Sequence, residues 1–445
     1  MTLGRRGRGV DCGAMPLTTI DEAVQRVRSV DTLAVPLATG IPGGFLHALG
    51  GRDDFEDLTV FGALLNDLYE LFLRPGVHYR SGFFGPAERF LRDSGAHVDY
   101  VPADFRRFGP ILEALRPRVM ATAASPPDAD GWMSLSLHAG ASVAELHRSA
   151  SDEDRLLVVE FSPNYPVTRG VGPEHPHRVH VDEADLVIES DRSPVVVEDP
   201  PPDDVDRAIA ANAMRFITDG CTLQTGIGSV PSLIAGLLAD GDGGDYGIHS
   251  EMFTNGLMRL HRAGKVTNRK GRFDGLSVTT FAAGNNELYE WLDGNDLVRF
   301  LPVEVVNAPE VIAANRRMVT INGAIAVDLA GQVVADTIEG GQFSGVGGHE
   351  DFLAGPGLRL EDRSLLCLRS TATVEGVTGS RIVDRLAAGA IVSTPRHQVD
   401  VVITEHGVAE LEGRSVRERA WAIAAIADPV FRAELLAAAE HTPTG

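Results

Sequence analysis

Cysteine is scarce in this chain of 445 residues: Cys12, Cys221 and Cys367 are the whole set. An odd, sparse set supplies no disulfide framework and fits a reducing cytoplasm. Long apolar runs are missing too. No uninterrupted stretch approaches the roughly 18 residues a membrane-spanning helix needs. Arg5, Arg6 and Arg8 open the chain, but no apolar run of about 7–15 residues follows them, so a signal peptide is not expected. Met15 offers an alternative start. Basic residues are in deficit: 40 against 62 acidic residues, a formal charge of −22. Such a field repels nucleic acid and anionic membranes, so neither is an expected partner. It also opposes anionic ligands, which need local Arg, Lys or backbone N–H groups to bind.

What is present is an ordinary globular composition, 44% hydrophobic and 23% charged. The length exceeds what one hydrophobic core holds and predicts at least two domains. Val195–Asp204 reads VVVEDPPPDD, and three successive prolines exclude a helix interior or central strand. These boundaries give an N-terminal α/β domain over 15–194, a proline-rich linker over 195–204 and a C-terminal α/β domain over 205–445. Asp204 is the expected N-cap of a helix running to Ile217.

Each half contains a unit of strand, glycine turn and helix. In the first, Thr32–Leu37 is followed by Gly40-Ile41-Pro42-Gly43-Gly44 and a helix with Phe45, Leu46 and Leu49. In the second, Thr222–Thr225 is followed by Gly226-Ile227-Gly228-Ser229-Val230-Pro231 and a helix through Leu238. The shared plan predicts two related α/β domains side by side. Apolar runs at Arg155–Phe161, Ser277–Phe281, Ala324–Leu329 and Val399–Thr404 read as further buried parallel strands. Helices are expected at Val416–Ile426 and Pro429–Ala439.

Three segments have the makings of chemistry. The Gly226–Val230 turn lets backbone N–H groups face an anion at a helix start; equally, it is a plain tight turn. Pro231 occupies the place of the third glycine of a dinucleotide fingerprint, which disfavours nicotinamide binding. Gly247-Ile248-His249-Ser250-Glu251-Met252-Phe253-Thr254-Asn255-Gly256 sets one carboxylate among small polar residues. Held where water is scarce, a carboxylate acts as a covalent nucleophile, although the common fate of a glutamate is the surface. Gly340-Gly341-Gln342-Phe343-Ser344-Gly345-Val346-Gly347-Gly348 has the donors for an oxyanion hole, or is simply a flexible loop.

Together these segments resemble the acetyl-CoA hydrolase/transferase family, which includes 4-hydroxybutyrate CoA-transferases. LQTGIGSVPS, GIHSEMFTNGL, GKVTNRK, NAPEVIAANRRMVTINGAIAVDLAGQV, QFSGVGGHEDF and ITEHGVAELEGRSVRERA stand in the family's order, with looser likeness in GFFGPAER, SPPDADGWMSL and NYPVTRG. The resemblance implies two CoA-transferase-type α/β domains with the active site between them. It places the glutamyl nucleophile at Glu251 and backbone oxyanion donors at Gly228, Gly347 and Gly348. It places CoA contacts at Gly226, Ile227, Gly228, Ser229, Val230, Ile325 and Gly348. It further implies a CoA-transferase acting between a short-chain acyl-CoA and a carboxylic acid through a glutamyl-CoA thioester, with ping-pong kinetics, in a cytoplasmic homo-oligomer, dimeric or larger. CoA is then a substrate, and no metal or other cofactor is expected. An acyl-CoA hydrolase using the same glutamate is the alternative. An inactive CoA-binding regulatory protein is disfavoured by the joint presence of Glu251 and both glycine loops.

Several residues depart from that pattern or compete with it. His349 and His406 stand where the family has other residues, and Thr371–Arg381 lacks the family's glycines. Lys265, Arg269, Lys270 and Arg272 form a basic cluster suited to CoA phosphates or, as readily, a solvated turn. His175, His177 and His180 lack a fourth ligand and defined zinc geometry. Asp240, Asp242 and Asp245 lack calcium-loop spacing. Cys221 reads as a buried strand residue. The acyl group is expected to be set near the Gly40–Gly44 turn, Phe83–Phe84 and Asn164.

Overall fold

The computed structural model describes residues 17–357 and 359–442. Cys12, the Arg5–Arg8 stretch and the alternative start at Met15 lie outside them. Two parallel sheets form the frame. The first has seven strands in the order Val98–Tyr100, Val77–Ser81, Asp57–Gly62, Val30–Ala34, Val119–Ala124, Leu156–Phe161, Leu186–Glu189, all parallel. The second has six, in the order Gly247–Ile248, Thr222–Thr225, Met318–Gly323, Arg363–Cys367, Val401–Thr404, Gly407–Glu410. Only its last pairing is antiparallel. Central strands buried on both faces need no polar alternation: every residue of VMATAA and LLVVEF is buried.

In each sheet the strand order reverses at one place: between Val30–Ala34 and Val119–Ala124, and between Thr222–Thr225 and Met318–Gly323. Ligands of open α/β sheets sit beyond the strand carboxyl ends at such switch points. Residues beyond both sets of strand ends line one cavity, and backbone bonds between other segments join the two halves. Ala139 and Gly140 N–H groups donate to Thr280 O at 2.7 and 3.2 Å, and Ala282 N–H donates to Leu137 O at 2.8 Å. One apolar core runs through both halves, taking in Phe61, Phe105 and Met120 from the first and Leu223, Phe253 and Val319 from the second.

The two strand–turn–helix units differ at the turn. In the first, the carboxylate of buried Glu160 accepts N–H bonds from Gly44 (3.0 Å) and Phe45 (2.8 Å) at the start of the Gly43–Leu49 helix. An internal anion therefore fills the place an external one would take. In the second, Gly228 adopts φ +123°, open to glycine alone, and leads into the Ser229–Asp240 helix.

Some local readings need correction. The helix after the linker is capped by Asp203, not Asp204. Asp203 and Asp206 form a reciprocal capping box, Arg369 pairs with both, and the α-helix ends at Ala213. Ser277–Phe281 is two short strands with different partners. Ala326–Asp328, within the expected Ala324–Leu329 strand, does pair in parallel, with Ile382–Val383, in a small three-stranded sheet whose other pairing, to Val333–Val334, is antiparallel. Among the described residues no helix is long and apolar enough to cross a membrane.

Candidate active site

Gly247–Ile248 is a short strand at the sheet edge, and the chain beyond its carboxyl end is fixed residue by residue. His249 is fully buried, and its Nε2 meets Val306 O at 2.7 Å; burial pushes its pKa down to about 3, so the ring is neutral. Ser250 Oγ donates to Thr225 O at 3.1 Å. The Glu251 carbonyl accepts from Thr280 N (2.9 Å), Phe281 N (3.2 Å) and Thr279 Oγ1 (2.9 Å). The backbone is thereby locked, and the Glu251 side chain opens into a cavity of about 330 Å³.

That cavity is lined from both sheets. Val35–Leu37, Phe61–Leu64 and Gly82–Phe83 follow strand ends of the first; Gln224–Ile227, Glu251 and Asn322 follow those of the second. Its volume is at the low end of ligand cavities, which span roughly 300–1,000 Å³. It suits the reacting end of a ligand rather than a whole CoA.

Glu251 is held by a neighbour the sequence did not single out. Asn307 Nδ2 donates to Glu251 Oε2 at 2.6 Å and to Asp351 Oδ2 at 2.9 Å. Burial raises the Glu251 pKa to about 8, Asn307 opposes the rise, and the Asp351 charge adds to it. Burial likewise lifts Asp351 to about 6 against the pull of Asn307 and Arg106, whose guanidinium it contacts. Both residues fall inside segments already notable for their glycines and order, Asn307 in NAPEV and Asp351 in GVGGHEDF. Nothing in their spacing announced that they meet.

The second glycine loop reaches the same carboxylate. A Cβ on Gly348 would overlap Glu251 Oε2 and lie 2.6 Å from Asn307 Nδ2, so only glycine fits beside the nucleophile candidate. Gly347 adopts φ +55°, and its carbonyl accepts from Phe105 N at 2.9 Å, which ties the loop to the first half. Among the described residues, the N–H groups of Gly226, Gly347 and Gly348 donate to no protein acceptor.

The expected site residues divide accordingly. Gly226, Ile227, Gly347 and Gly348 line the cavity with Glu251. Ile227 is 49% exposed and sits at the mouth. Gly228, Ser229 and Val230 lie just outside the lining, at the start of the Ser229–Asp240 helix. Ile325 is also outside it, donating its N–H to Val334 O at 2.8 Å. Phe83 lines the cavity, but Phe84, the Gly40–Gly44 turn and Asn164 do not. Asn164 Nδ2 donates instead to Asp191 O.

None of the basic cluster lines the cavity. Lys265 and Lys270 donate to backbone carbonyls, and Arg269 pairs with Asp245. Lys270 is fully buried, which pushes it down to about 7. His177 bonds Ser136 O and Thr168 Oγ1, while His180 bonds Asp130 O. Among the described residues no group of three or more His, Cys, Asp or Glu stands close enough to hold a metal ion. Cys221 is buried at the foot of its strand, next to Thr218.

A model of the acetyl-CoA hydrolase/transferase C-terminal domain matches residues 284–439. The 4-hydroxybutyrate coenzyme A transferase of Clostridium kluyveri is 33% identical over 94% of this chain and 96% of its own length. The chain belongs to the acetyl-CoA hydrolase/transferase family, a family of enzymes. A second relative, the succinyl-CoA:cyclohexane-1-carboxylate CoA transferase of Geobacter metallireducens, is 33% identical over 94% of each chain. The crystal structure of RipA from Yersinia pestis superposes with a TM-score of 0.86 at 32% identity, covering 95% of this chain and 97% of that one. Within this family's architecture, the paired parallel sheets account for the position of the Glu251 cavity between the two halves.

Proposed function

We propose that this enzyme moves CoA between a short acyl-CoA and a carboxylic acid, with Glu251 as the covalent carrier. One observation supports this above the rest: the Glu251 carboxyl sits in a largely apolar cavity against a glycine loop so close that no side chain fits there. The Glu251 carboxylate attacks the thioester carbonyl. Unpaired N–H groups of the glycine segments meet the oxyanion, each donor contributing about 3–4 kcal/mol in comparable sites. CoA thiolate leaves an acyl-glutamyl anhydride, then attacks the glutamyl carbonyl and releases the first acid. The acceptor carboxylate attacks the resulting glutamyl thioester, and CoA takes the new acyl group from the second anhydride. Glu251 is regenerated, and the kinetics are ping-pong.

The CoA contacts assigned to Gly226 through Val230, Ile325 and Gly348 belong to the same proposal, as do the oxyanion role of Gly228, the cytoplasmic location and a homo-oligomeric assembly. The relatives that carry CoA-transferase names support the reaction class. The test is exchange of labelled acetate into acetyl-CoA by the wild-type enzyme and by Glu251→Ala. Exchange that needs acetate and vanishes in the variant is expected. CoA release at the same rate without any acid would assign the protein as a hydrolase instead.

A further inference from the structure

We propose that the cavity selects an acyl chain that is apolar and carries no second charge, and that the rings of Phe61, Phe105 and Phe108 set this preference. The inference rests on the reading of Glu251 as the acyl carrier. The three rings belong to one packed wall: the Phe61–Phe108 and Phe105–Phe108 centroids are 6.0 and 6.4 Å apart. Phe281, from the second half, closes on Phe105 at 6.4 Å. Gly82 makes room for the wall, since a Cβ there would stand 2.7 Å from Phe108 Cζ. All three rings are buried among protein atoms and still border the cavity.

The larger neutral polar side chains on the lining, Gln224, Asn322 and His349, all have protein partners. Gln224 and Asn322 face one another, and the Gln224 carbonyl accepts from Ile321 N at 3.0 Å. His349 Nε2 meets Thr394 Oγ1 at 2.9 Å, and burial pushes its pKa to about 4, leaving it neutral. Among the described lining residues there is no Lys or Arg. Arg106, the residue after Phe105, is committed to Asp104 and Asp351. A terminal carboxylate on the acyl chain would lose its water here, find no cation, and face the Glu251–Asp351 pair. A terminal hydroxyl packed against the ring wall would lose its hydrogen bonds to water and meet only carbon there, since the free N–H groups lie on the glycine segments beside Glu251. An alkyl, branched or alicyclic chain meets neither cost.

Three donors of equal carbon count decide this: butyryl-CoA, 4-hydroxybutyryl-CoA and succinyl-CoA. Calorimetric affinity and kcat/KM with acetate are measured for each on the wild-type enzyme. Relative to butyryl-CoA, a loss of about 10–100-fold is expected for the hydroxylated chain and more than about 100-fold for the charged one. Equal or better use of either polar donor overturns the inference. Tighter binding of butyryl-CoA with no transfer to any acid leaves the selectivity standing and sinks the transferase reading instead. Phe108→Leu and Phe61→Leu keep the pocket apolar while opening space, and should move the hexanoyl-to-butyryl kcat/KM ratio up about 10-fold. An unchanged ratio in both variants overturns the role given to the rings.

Discussion

Glu251 is a carboxyl group made reluctant to ionise, and that sets its pH behaviour. With its pKa raised to about 8, the anion that we propose as the nucleophile is the minor form at neutral pH. The rate of the first half-reaction of the free enzyme should rise with pH and level off above about 8. Asn307→Ala removes the donor that favours the charged form, so the midpoint of that profile should move to higher pH while a purely structural loss would leave it in place. Stability runs the other way. Folding favours the protonated form, so the stability Glu251 contributes is full below its unfolded value near 4.5 and is lost as pH rises through about 8. Thermal midpoints of wild type and Glu251→Gln should therefore coincide near pH 4.5 and diverge towards pH 8, with the variant the more stable. Gly348→Ala tests the contact from the other side. Its methyl displaces the carboxylate and Asn307, so activity should fall about 100-fold or more. Overpacking costs only about 1–3 kcal/mol of stability.

At the level of elements, the glycine loop is held by the opposite half. Arg89 Nη1 donates to Phe343 O at 2.5 Å and its guanidinium lies 4.4 Å over the Phe343 ring; Arg92 donates to Gln342 O at 2.8 Å. Arg89→Ala should speed amide exchange across 340–348 and lower kcat with little change in thermal midpoint; unchanged exchange would show that the clamp does not order the loop. Some elements were legible in the sequence and others were not. Thr222–Thr225 was read with its bounds intact because a glycine turn follows it and a helix pattern begins at once. Met318–Gly323, a central strand, was hidden inside a longer ordered motif, and the small residues of Val119–Ala124 have weak strand preference. The apolar run Ala324–Leu329 announces a strand, but so short a run does not tell which sheet it joins, and the strand lies in a small sheet apart from the main one. The two glycine turns looked alike in sequence. Only the position of Glu160, over a hundred residues from the first turn, shows that one is filled and the other open. Asn307 and Asp351 were unreadable for the same reason: their meeting at Glu251 is a tertiary fact.

For the whole molecule, the division at the proline-rich segment 195–204 stands as a proposal, supported by two sheets that fall on either side of it. A core shared across that division argues that neither half is stable alone. The full chain should unfold in one cooperative transition, and residues 17–204 expressed alone should aggregate or lack a transition. Two well-separated transitions would show independent halves. The shared core also explains how loops from opposite halves stay within hydrogen-bond distance at the site, where Phe105 meets Gly347 and Arg106 meets Asp351. The central claim is that Glu251 carries CoA covalently. The most direct measurement is peptide mapping by mass spectrometry after incubation with acetyl-CoA and reduction with borohydride. The account predicts that Glu251 alone is converted to the corresponding alcohol, in an acetyl-CoA-dependent manner. Reduction mapped to another residue, or acyl exchange that survives in Glu251→Ala, would contradict it.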